Sequence, residues 1–322
     1  MIPKELDFQN IKEIYEKLTP FIKNTPIVHA TKSIQKIFNT NLFLKLEFFQ
    51  NSGTFKARGV VNNILNLTKE QKILGVTAAS AGNHAIATSY GANIFGIKSK
   101  VFMYDSANSF RINRVKSYNS KLVLSKITDA FKDMLKASKE EGYTVIHPFD
   151  GIKTIQGTAS LGFEISNQIK ELDNIIISVG GGGLISGVGS IIRQKFPKCK
   201  IIGVEPEGAK GLTESLKIGK PVSSIQINTI ADSLSAPFHL PFSFSICQNV
   251  VDQMVLVTDL QMKKAMKFMG ENCKLILEPA GVAGIAALQG PLKDKLKNQT
   301  TVIILCGANI DMHSWINLTN IS

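Results

Sequence analysis

The chain has 322 residues, of which 44% are hydrophobic and 19% charged. This composition is typical of a folded globular protein and excludes a largely disordered chain. The net charge of +12 comes almost entirely from lysines, which are spread along predicted helical surfaces. Nucleic-acid binding favours arginine in a concentrated basic face, so we expect no nucleic-acid partner.

The longest apolar stretch, 175–192, contains six glycines and three serines and predicts a strand, a loop and a helix instead of a membrane span. The N-terminus has no apolar signal segment, so we expect a cytoplasmic protein. The four cysteines stand far apart and predict neither a disulfide framework nor a zinc site.

Short β-rich runs alternate with amphipathic stretches of helical length. Strands are predicted over 41–46, 75–79, 100–104, 121–124, 144–146, 174–179, 200–204 and 301–305, and helices between them, for example over 83–97, 129–141, 184–195 and 263–274. Strand–helix alternation with buried strands predicts an α/β architecture built on parallel sheets. The repeats between residues 74 and 146 indicate a compact unit inserted in a larger one.

The first motif that could carry chemistry reads Ser-Gly-Thr-Phe-Lys-Ala-Arg-Gly and follows the strand over 41–46. Lys56 stands between Phe55 and Ala57, whose apolar side chains could remove it from water. Desolvation lowers the pKa of an amine and makes it a nucleophile or a base. A lone lysine at a helix start is more often a surface residue, so this motif needs support from others.

The second motif, Ser-Ala-Gly-Asn-His, comes directly after the strand over 75–79. Ser80, Asn83 and His84 open a predicted helix, where free backbone N–H groups and the helix dipole attract an anion. An ordinary N-cap by Ser80 or Asn83 explains the same residues at least as well.

The third motif is a run of four glycines between a predicted strand and a predicted helix, whose backbone amides could close around a phosphate. A dinucleotide site is the obvious alternative, because Glu205 ends the next strand about twenty residues later. The GxGxxG spacing fails in both registers, however, since Ile185 or Ser186 stands at the third glycine position. A single phosphate is the better interpretation, and with the lysine and the helix start it predicts pyridoxal phosphate.

These motifs, followed late in the chain by Cys-Gly-Ala-Asn, resemble those of fold-type II pyridoxal-phosphate enzymes. The group they resemble is the serine/threonine dehydratases (threonine ammonia-lyases), with serine racemase as close kin. The resemblance covers about residues 24–311. It implies two parallel-sheet α/β domains of the tryptophan synthase β type: a large one from 1–50 and 150–322, and a smaller inserted one over 51–149 that carries the Asn-His loop. It also implies a homodimer.

The resemblance implies a role for each matched residue. Lys56 would bind the cofactor covalently and, once the substrate has displaced it, remove the α-proton. Cys306 would contact the pyridine nitrogen, where a thiol does not protonate the ring as a carboxylate would. Phe55 would pack beside the ring and Asn83 would hydrogen-bond its 3-oxygen. Gly180, Gly181, Gly182, Gly183 and the Leu184 amide would hold the phosphate, and Ser80, Ala81, Asn83 and His84 the substrate carboxylate.

Two positions depart from the family pattern. Serine racemase has a second serine where this chain has Ala81, which favours one-sided proton chemistry and therefore dehydration over racemisation. The related cation site would use Glu205, but the carboxylate expected near Gly211 is missing, so the sequence assigns no metal. The stretch 230–237 is expected to border the substrate side chain.

The sequence thus predicts a pyridoxal-phosphate lyase that converts L-threonine or L-serine to a 2-oxoacid and ammonia by β-elimination. A hydroxyaspartate or ectoine-pathway dehydratase would share every motif, and serine racemase is the alternative that Ala81 disfavours. A non-catalytic protein of this fold would bind the cofactor without forming product. A nicotinamide oxidoreductase would need a different phosphate fingerprint.

Overall fold

The computed structural model describes residues 2–126 and 128–321. In that part of the chain ten strands form two sheets. The strands are β1 (Ile27–His29), β2 (Asn41–Lys45), β3 (Val76–Ala79), β4 (Ser99–Tyr104), β5 (Lys121–Ser125), β6 (Thr144–Val145), β7 (Asn174–Ser178), β8 (Lys200–Pro206), β9 (Gln253–Val257) and β10 (Thr300–Ile304).

The helices that surround these sheets are α1 (Phe8–Leu18), α2 (Lys32–Phe38), α3 (Lys56–Leu65), α4 (Lys69–Leu74), α5 (Asn83–Ile94), α6 (Ser109–Lys116), α7 (Ala130–Glu141), α8 (Ile152–Gln168), α9 (Gly183–Lys195), α10 (Gly211–Ile218), α11 (Pro241–Val250), α12 (Asp259–Cys273), α13 (Pro279–Gln289) and α14 (Met312–Thr319). Short 3-10 turns cover Lys4–Leu6, Glu47–Phe49, Glu207–Ala209 and Asp232–Leu234. None of the described helices combines the length and the hydropathy needed to cross a bilayer.

The six-stranded sheet has the order β1-β2-β10-β7-β8-β9 and forms the centre of the larger part of the molecule. All its strands are parallel except β1, which pairs antiparallel with β2. Strand β7 is buried along its whole length, and α13 and α9 pack against it. Helices on a parallel sheet bury its central strands, which is why these strands appear in the sequence as short apolar runs.

The four-stranded sheet has the order β5-β4-β3-β6, is parallel throughout and uses only residues 76–145. Val101 and Met103 of β4 pack in one cluster with Ile86 of α5, whereas Phe102 packs with Met134 of α7. Successive strand residues point to opposite faces, so α5 and α7 cover the two faces of this sheet.

The α/β class with parallel sheets is confirmed, and all eight predicted strands are present. Strands β1 and β9 were not predicted, and β1 adds an antiparallel edge to the larger sheet. Both are edge strands with partly exposed residues, so neither shows the continuous apolar run of a buried strand. The domain boundaries 1–50, 51–149 and 150–322 stay a prediction.

A group of four buried charged side chains fixes the helix that begins at Lys56. Arg58 of α3 forms two-pronged pairs with Glu47 and with Glu164 of α8, at 2.5–3.0 Å. Lys45 at the end of β2 pairs with the same Glu164 at 2.7 Å. We call these four residues, Lys45, Glu47, Arg58 and Glu164, the inner network. It ties α3 to β2 and α8 through charges that are fully removed from water.

Candidate active site

A cavity lies beyond the carboxyl ends of β7 and β10, beside the starts of α3, α5 and α9. Of the predicted site residues, those that line it are Phe55, Lys56, Asn83, Gly180, Gly181, Gly182, Gly183, Leu184 and Cys306. Ser80, Ala81 and His84 are not among its lining residues. The structure therefore brings together the lysine, the glycine loop and the cysteine.

Lys56 begins α3 and is largely buried, with its amine at the cavity. Its Nζ donates to the carbonyl oxygen of Pro148 at 2.5 Å and lies 4.9 Å from the centre of the Phe55 ring. No carboxylate in the described ranges forms an ion pair with it. Burial lowers the pKa of Lys56 to about 8, with the nearby Cys306 thiol acting weakly in the opposite direction. The amine is therefore available as a nucleophile or base near neutral pH.

The glycine loop connects β7 to α9 and presents main-chain donors to the cavity. Within residues 2–126 and 128–321, the N–H groups of Gly181, Gly182, Gly183 and Leu184 have no hydrogen-bond partner. A side chain at Gly181 would place its first carbon 2.1 Å from the Phe149 ring, so only glycine fits there. Consecutive free amides at a helix start bind phosphate, and the loop therefore fits the phosphate of the expected cofactor.

Cys306 follows β10, is buried and lines the cavity. Its Sγ donates to the carbonyl oxygen of Ala280 at 3.4 Å, and Ser178 Oγ donates to the same oxygen at 2.9 Å. Burial, with a smaller contribution from Glu278, raises the pKa of the Cys306 thiol to about 12. The residue therefore stays neutral, which fits the expectation that it does not supply a charge to a pyridine nitrogen. Its role stays a prediction.

Asn83 begins α5 and is held by three side chains. Its Nδ2 donates to Glu278 Oε1 at 2.5 Å and to Ser233 Oγ at 3.0 Å, while its Oδ1 accepts from Asn309 Nδ2 at 2.7 Å. Both N–H donors of the amide are thus in use. A cofactor oxygen bound by Asn83 would replace Ser233, the partner at the longer distance, so the predicted contact requires this one exchange.

Glu278 is a site residue that the sequence reasoning missed. It is buried at the cavity, and its Oε2 accepts from the Asn309 N–H at 3.1 Å and from Arg111 Nη2 at 3.4 Å. Burial raises the pKa of Glu278, and the Arg111 guanidinium opposes this. A single carboxylate directly before Pro279, at the start of an apolar helix, was the available signal.

Arg111 connects α6 to the other side of the cavity. Its Nε donates to the carbonyl oxygen of Asn309 at 2.8 Å, and its guanidinium also pairs with Asp232 and Glu278. We call Asn83, Arg111, Asp232, Glu278 and Asn309 the bridging network. It links elements of both sheets around the cavity. Ser233 and Leu234 of the stretch 230–237 line the cavity, and the contact of this stretch with the substrate side chain stays a prediction.

The other residues predicted to bind the substrate carboxylate lie at the same helix start but behave differently. His84 is buried, and its Nε2 donates to the carbonyl oxygen of Ile146 at 2.7 Å. Burial, helped by the nearby Lys56, lowers the pKa of His84 to about 3, so the ring is neutral. Ser80 Oγ accepts from the Gly82 N–H at 3.1 Å, and no side chain caps α5. Binding of the substrate carboxylate by Ser80, Ala81, Asn83 and His84 stays a prediction. In this prediction the main-chain N–H groups at the start of α5 would bind the carboxylate.

The Glu205 carboxylate is bound to the start of α10. Its two oxygens accept from the Leu212 N–H at 2.7 Å, the Thr213 N–H at 2.9 Å and the Thr213 hydroxyl at 2.6 Å. In the described part of the chain no three His, Cys, Asp or Glu side chains come together as a metal site would need. Burial raises the pKa of Glu205 to about 7 against these hydrogen bonds. The carboxylate serves as an anchor for the start of α10, and we derive no step through a metal.

Comparison with known proteins agrees with this geometry. The family model described as "Pyridoxal-phosphate dependent enzyme" matches residues 18–307. The chain is 39% identical over 306 residues to phenylserine dehydratase from Ralstonia pickettii, covering 95% of this chain and 94% of that protein. It is 34% identical over 307 residues to the catabolic L-threonine dehydratase of Staphylococcus aureus, covering 94% and 89%. The structure of maize serine racemase superposes with a TM-score of 0.90 at 32% identity, covering 97% and 96%.

Proposed function

Because the chain belongs to the pyridoxal-phosphate dependent enzyme family, we propose that it is an ammonia-lyase that converts a β-hydroxy-α-amino acid to a 2-oxoacid and ammonia. The observation that carries this proposal is the position of the Lys56 amine. It has no carboxylate partner among the described residues, has a lowered pKa, and shares one cavity with four partnerless amides. Such a site holds a phosphate and a reactive amine at the same time.

In this proposal each residue has a defined task. Pyridoxal phosphate, when bound, withdraws electrons from the α-carbon of the attached amino acid and so acidifies its proton. Lys56 would hold the cofactor, and its amine, when free, would accept the α-proton at Nζ. The amides of the glycine loop hold the phosphate, and Phe55 packs beside the ring. Cys306 gives the ring nitrogen a neutral neighbour.

Asn83 orients the ring through the 3-oxygen, and the start of α5 holds the substrate carboxylate. Ala81 offers no proton acceptor on the face opposite Lys56, so the proton chemistry is one-sided and elimination is favoured over racemisation. The predicted substrates are L-threonine and L-serine, and the relative named L-threonine dehydratase supports them. A second candidate is 3-phenylserine, which the relative named phenylserine dehydratase supports. We further propose a cytoplasmic homodimer.

The test is an absorption spectrum of the purified protein with pyridoxal phosphate, before and after addition of single amino acids. We expect a near-visible band of lysine-bound cofactor that changes with substrate, together with 2-oxoacid and ammonia in equal amounts. The panel holds L-threonine, L-serine, L-threo-3-hydroxyaspartate and L-threo-3-phenylserine. D-Serine is assayed in parallel, because its formation would indicate a racemase.

Two variants make this test specific. Lys56→Ala should lose the band and the turnover, whereas Lys69→Ala, at an exposed position of α4, should keep both. Undiminished turnover by Lys56→Ala would refute the role of this amine. A protein that shows no band with added cofactor would refute the proposed function as a whole.

A further inference from the structure

Five aromatic side chains from three separate segments meet beside the cavity. They are Phe131 of α7, His147 and Phe149 after β6, and Phe238 and His239 before α11. The centres of neighbouring rings lie 4.5–6.5 Å apart, most of them edge to face or tilted. These are favourable distances for aromatic pairs. We call these five residues the aromatic cluster.

The aromatic cluster begins at the reactive amine. Phe149 lines the cavity, and the carbonyl oxygen of Pro148, its neighbour in the chain, accepts the hydrogen bond from Lys56. On the other side of the cluster, Phe238 follows Ser233 and Leu234, which also line the cavity. Phe149 is thus the ring of the cluster that lines the cavity, and Phe238 is in contact with it at 6.1 Å between ring centres.

Two of the rings stand at partly exposed positions. Phe149 is buried, but Phe131 and Phe238 are only partly buried. Phe131 packs partly on the cluster around Met134, whereas Phe238 is in contact with none of the hydrophobic clusters that the described residues form. Its ring contacts are with Phe131 and Phe149. Phe238 thus extends the apolar wall that begins at Phe149 to a partly exposed position.

The wall is also uncharged. Burial lowers the pKa of both His147 and His239 to about 4, so neither ring carries a charge near neutral pH. His147 Nδ1 accepts from the Asp150 N–H at 2.9 Å, which leaves its proton on Nε2. No lysine or arginine of the described ranges stacks on the cluster. The Asp150 carboxylate, whose charge acts on His147, would repel a substrate with an acidic side chain.

We propose that the aromatic cluster binds the β-substituent of the substrate and makes the site prefer β-hydroxy-α-amino acids with an aryl substituent over L-serine, L-threonine and hydroxyaspartate. The proposal rests on the proposed function and names its substrate class. An aryl group would meet ring faces and edges of Phe131, Phe149 and Phe238, whereas a hydrogen or methyl group would leave most of this apolar surface without a partner.

The kinetic test compares kcat/KM for L-threo-3-phenylserine and L-serine in the holoenzyme. In the wild type, kcat/KM for L-threo-3-phenylserine should be higher than that for L-serine by about tenfold or more. Phe238→Ala and Phe131→Ala should each lower the ratio of the two values by about tenfold, while Phe49→Ala, which removes a half-exposed ring far along the chain from the cluster, should leave it unchanged. A wild-type ratio of one or less, or an equal loss for both substrates in the Phe238 variant, would overturn the proposal.

A binding measurement separates this proposal from the proposed function. L-Phenylalanine and L-alanine lack a β-hydroxyl group and cannot lose water, but both can react with the cofactor and change its spectrum. Spectral titration should show L-phenylalanine binding about tenfold more tightly than L-alanine, and Phe238→Ala should remove the difference. Equal affinities would overturn the aromatic site even if elimination occurs. If the difference is present but no β-hydroxy amino acid is converted, the proposed function fails and the aromatic site stands.

Discussion

Arg58 and Arg111 are both buried and both pair with carboxylates, yet their surroundings differ. In the inner network every group is fully buried, two cations face two anions, and Arg58 makes two-pronged contacts with each glutamate. In the bridging network one guanidinium faces two carboxylates, and the Asp232 side chain is 48% exposed. The inner network is saturated, which means that its charges balance and each charged group has a partner of opposite sign. The bridging network is not saturated.

This difference separates stability from function. A saturated buried network has no free donor or acceptor for a ligand, and it fixes the helix that carries Lys56. The bridging network has an excess of negative charge and holds Asn83, a residue of the cavity, through Glu278. Its hydrogen bonds can be exchanged when a ligand arrives. We therefore expect substitutions in the inner network to affect folding, and those in the bridging network to affect the site.

The largest effect is expected from Arg58→Met. Removing the guanidinium leaves Glu47 and the second oxygen of Glu164 buried without their partner, which costs about 3–5 kcal/mol of unfolding free energy. Urea unfolding of the apoprotein measures this, with Arg193→Met as the control, because Arg193 pairs with Asp252 in a partly exposed position. The control should lose less than about 1 kcal/mol. Equal losses in both variants would remove the distinction between the networks.

Lys56 is a cation that belongs to neither network. It therefore tests how burial without an ion pair affects the free energy of unfolding. Because the pKa of Lys56 is lowered from 10.5 to about 8 by folding, between these pH values the unfolded lysine carries a proton that the folded one has lost. The free-energy cost of burying the charged amine therefore acts in full below pH 8 and disappears as the pH rises to 10.5. The Lys56→Met apoprotein should therefore be more stable than wild type by up to about 3 kcal/mol at pH 7, with the gap closing by pH 10.5. A gap independent of pH would contradict the lowered pKa.

Glu278→Gln should damage the site more than the fold. The new amide places N–H donors against either the Asn83 amide or the Asn309 N–H and Arg111, all of which are donors. We expect about 1–2 kcal/mol loss of stability and about a tenfold loss of kcat/KM. The spectrum of bound cofactor should shift, because Asn83 loses its orientation. A stability loss with unchanged kinetics and spectrum would assign Glu278 to the fold alone.

Asp232→Asn should have the smallest effect. The pair with Arg111 is exposed to solvent on the aspartate side, so its loss should cost less than about 1 kcal/mol of unfolding free energy. The wild-type contribution should also shrink when salt is added, because screening weakens exposed pairs. A loss comparable with that of Arg58→Met would show that the bridging network stabilises the fold as strongly as the inner one.

The sequence predicts the parts of the site that belong to short, continuous motifs. The glycine loop and Cys306 directly follow strands of the larger sheet, and Lys56 comes after β2 and one 3-10 turn. Parallel strands bring their carboxyl ends to one edge. The eight predicted strands were also recognisable from local sequence, because each is a short apolar run. The edge strands β1 and β9 were not predicted.

The parts that depend on distant contacts were not predictable. Glu278 meets Asn83 across 195 positions of the chain, and Arg111 meets Asn309 across 198. The aromatic cluster likewise joins three segments whose separation in the sequence gives no periodic signal. Residues of this kind look in the sequence like an ordinary charge or an ordinary apolar residue, and only the fold gives them a partner.

The position of β10 has a consequence for how the protein is made. This strand lies between β2 and β7, so residues 41–45 and 174–178 have no common neighbour until residues 300–304 have left the ribosome. The four-stranded sheet needs only residues 76–145 and can assemble much earlier. Contacts between distant segments form slowly, so we expect the smaller sheet to acquire protection from hydrogen exchange first and the cavity to close last. During synthesis the reactive lysine would thus exist for most of the time without the cysteine that lines the same cavity.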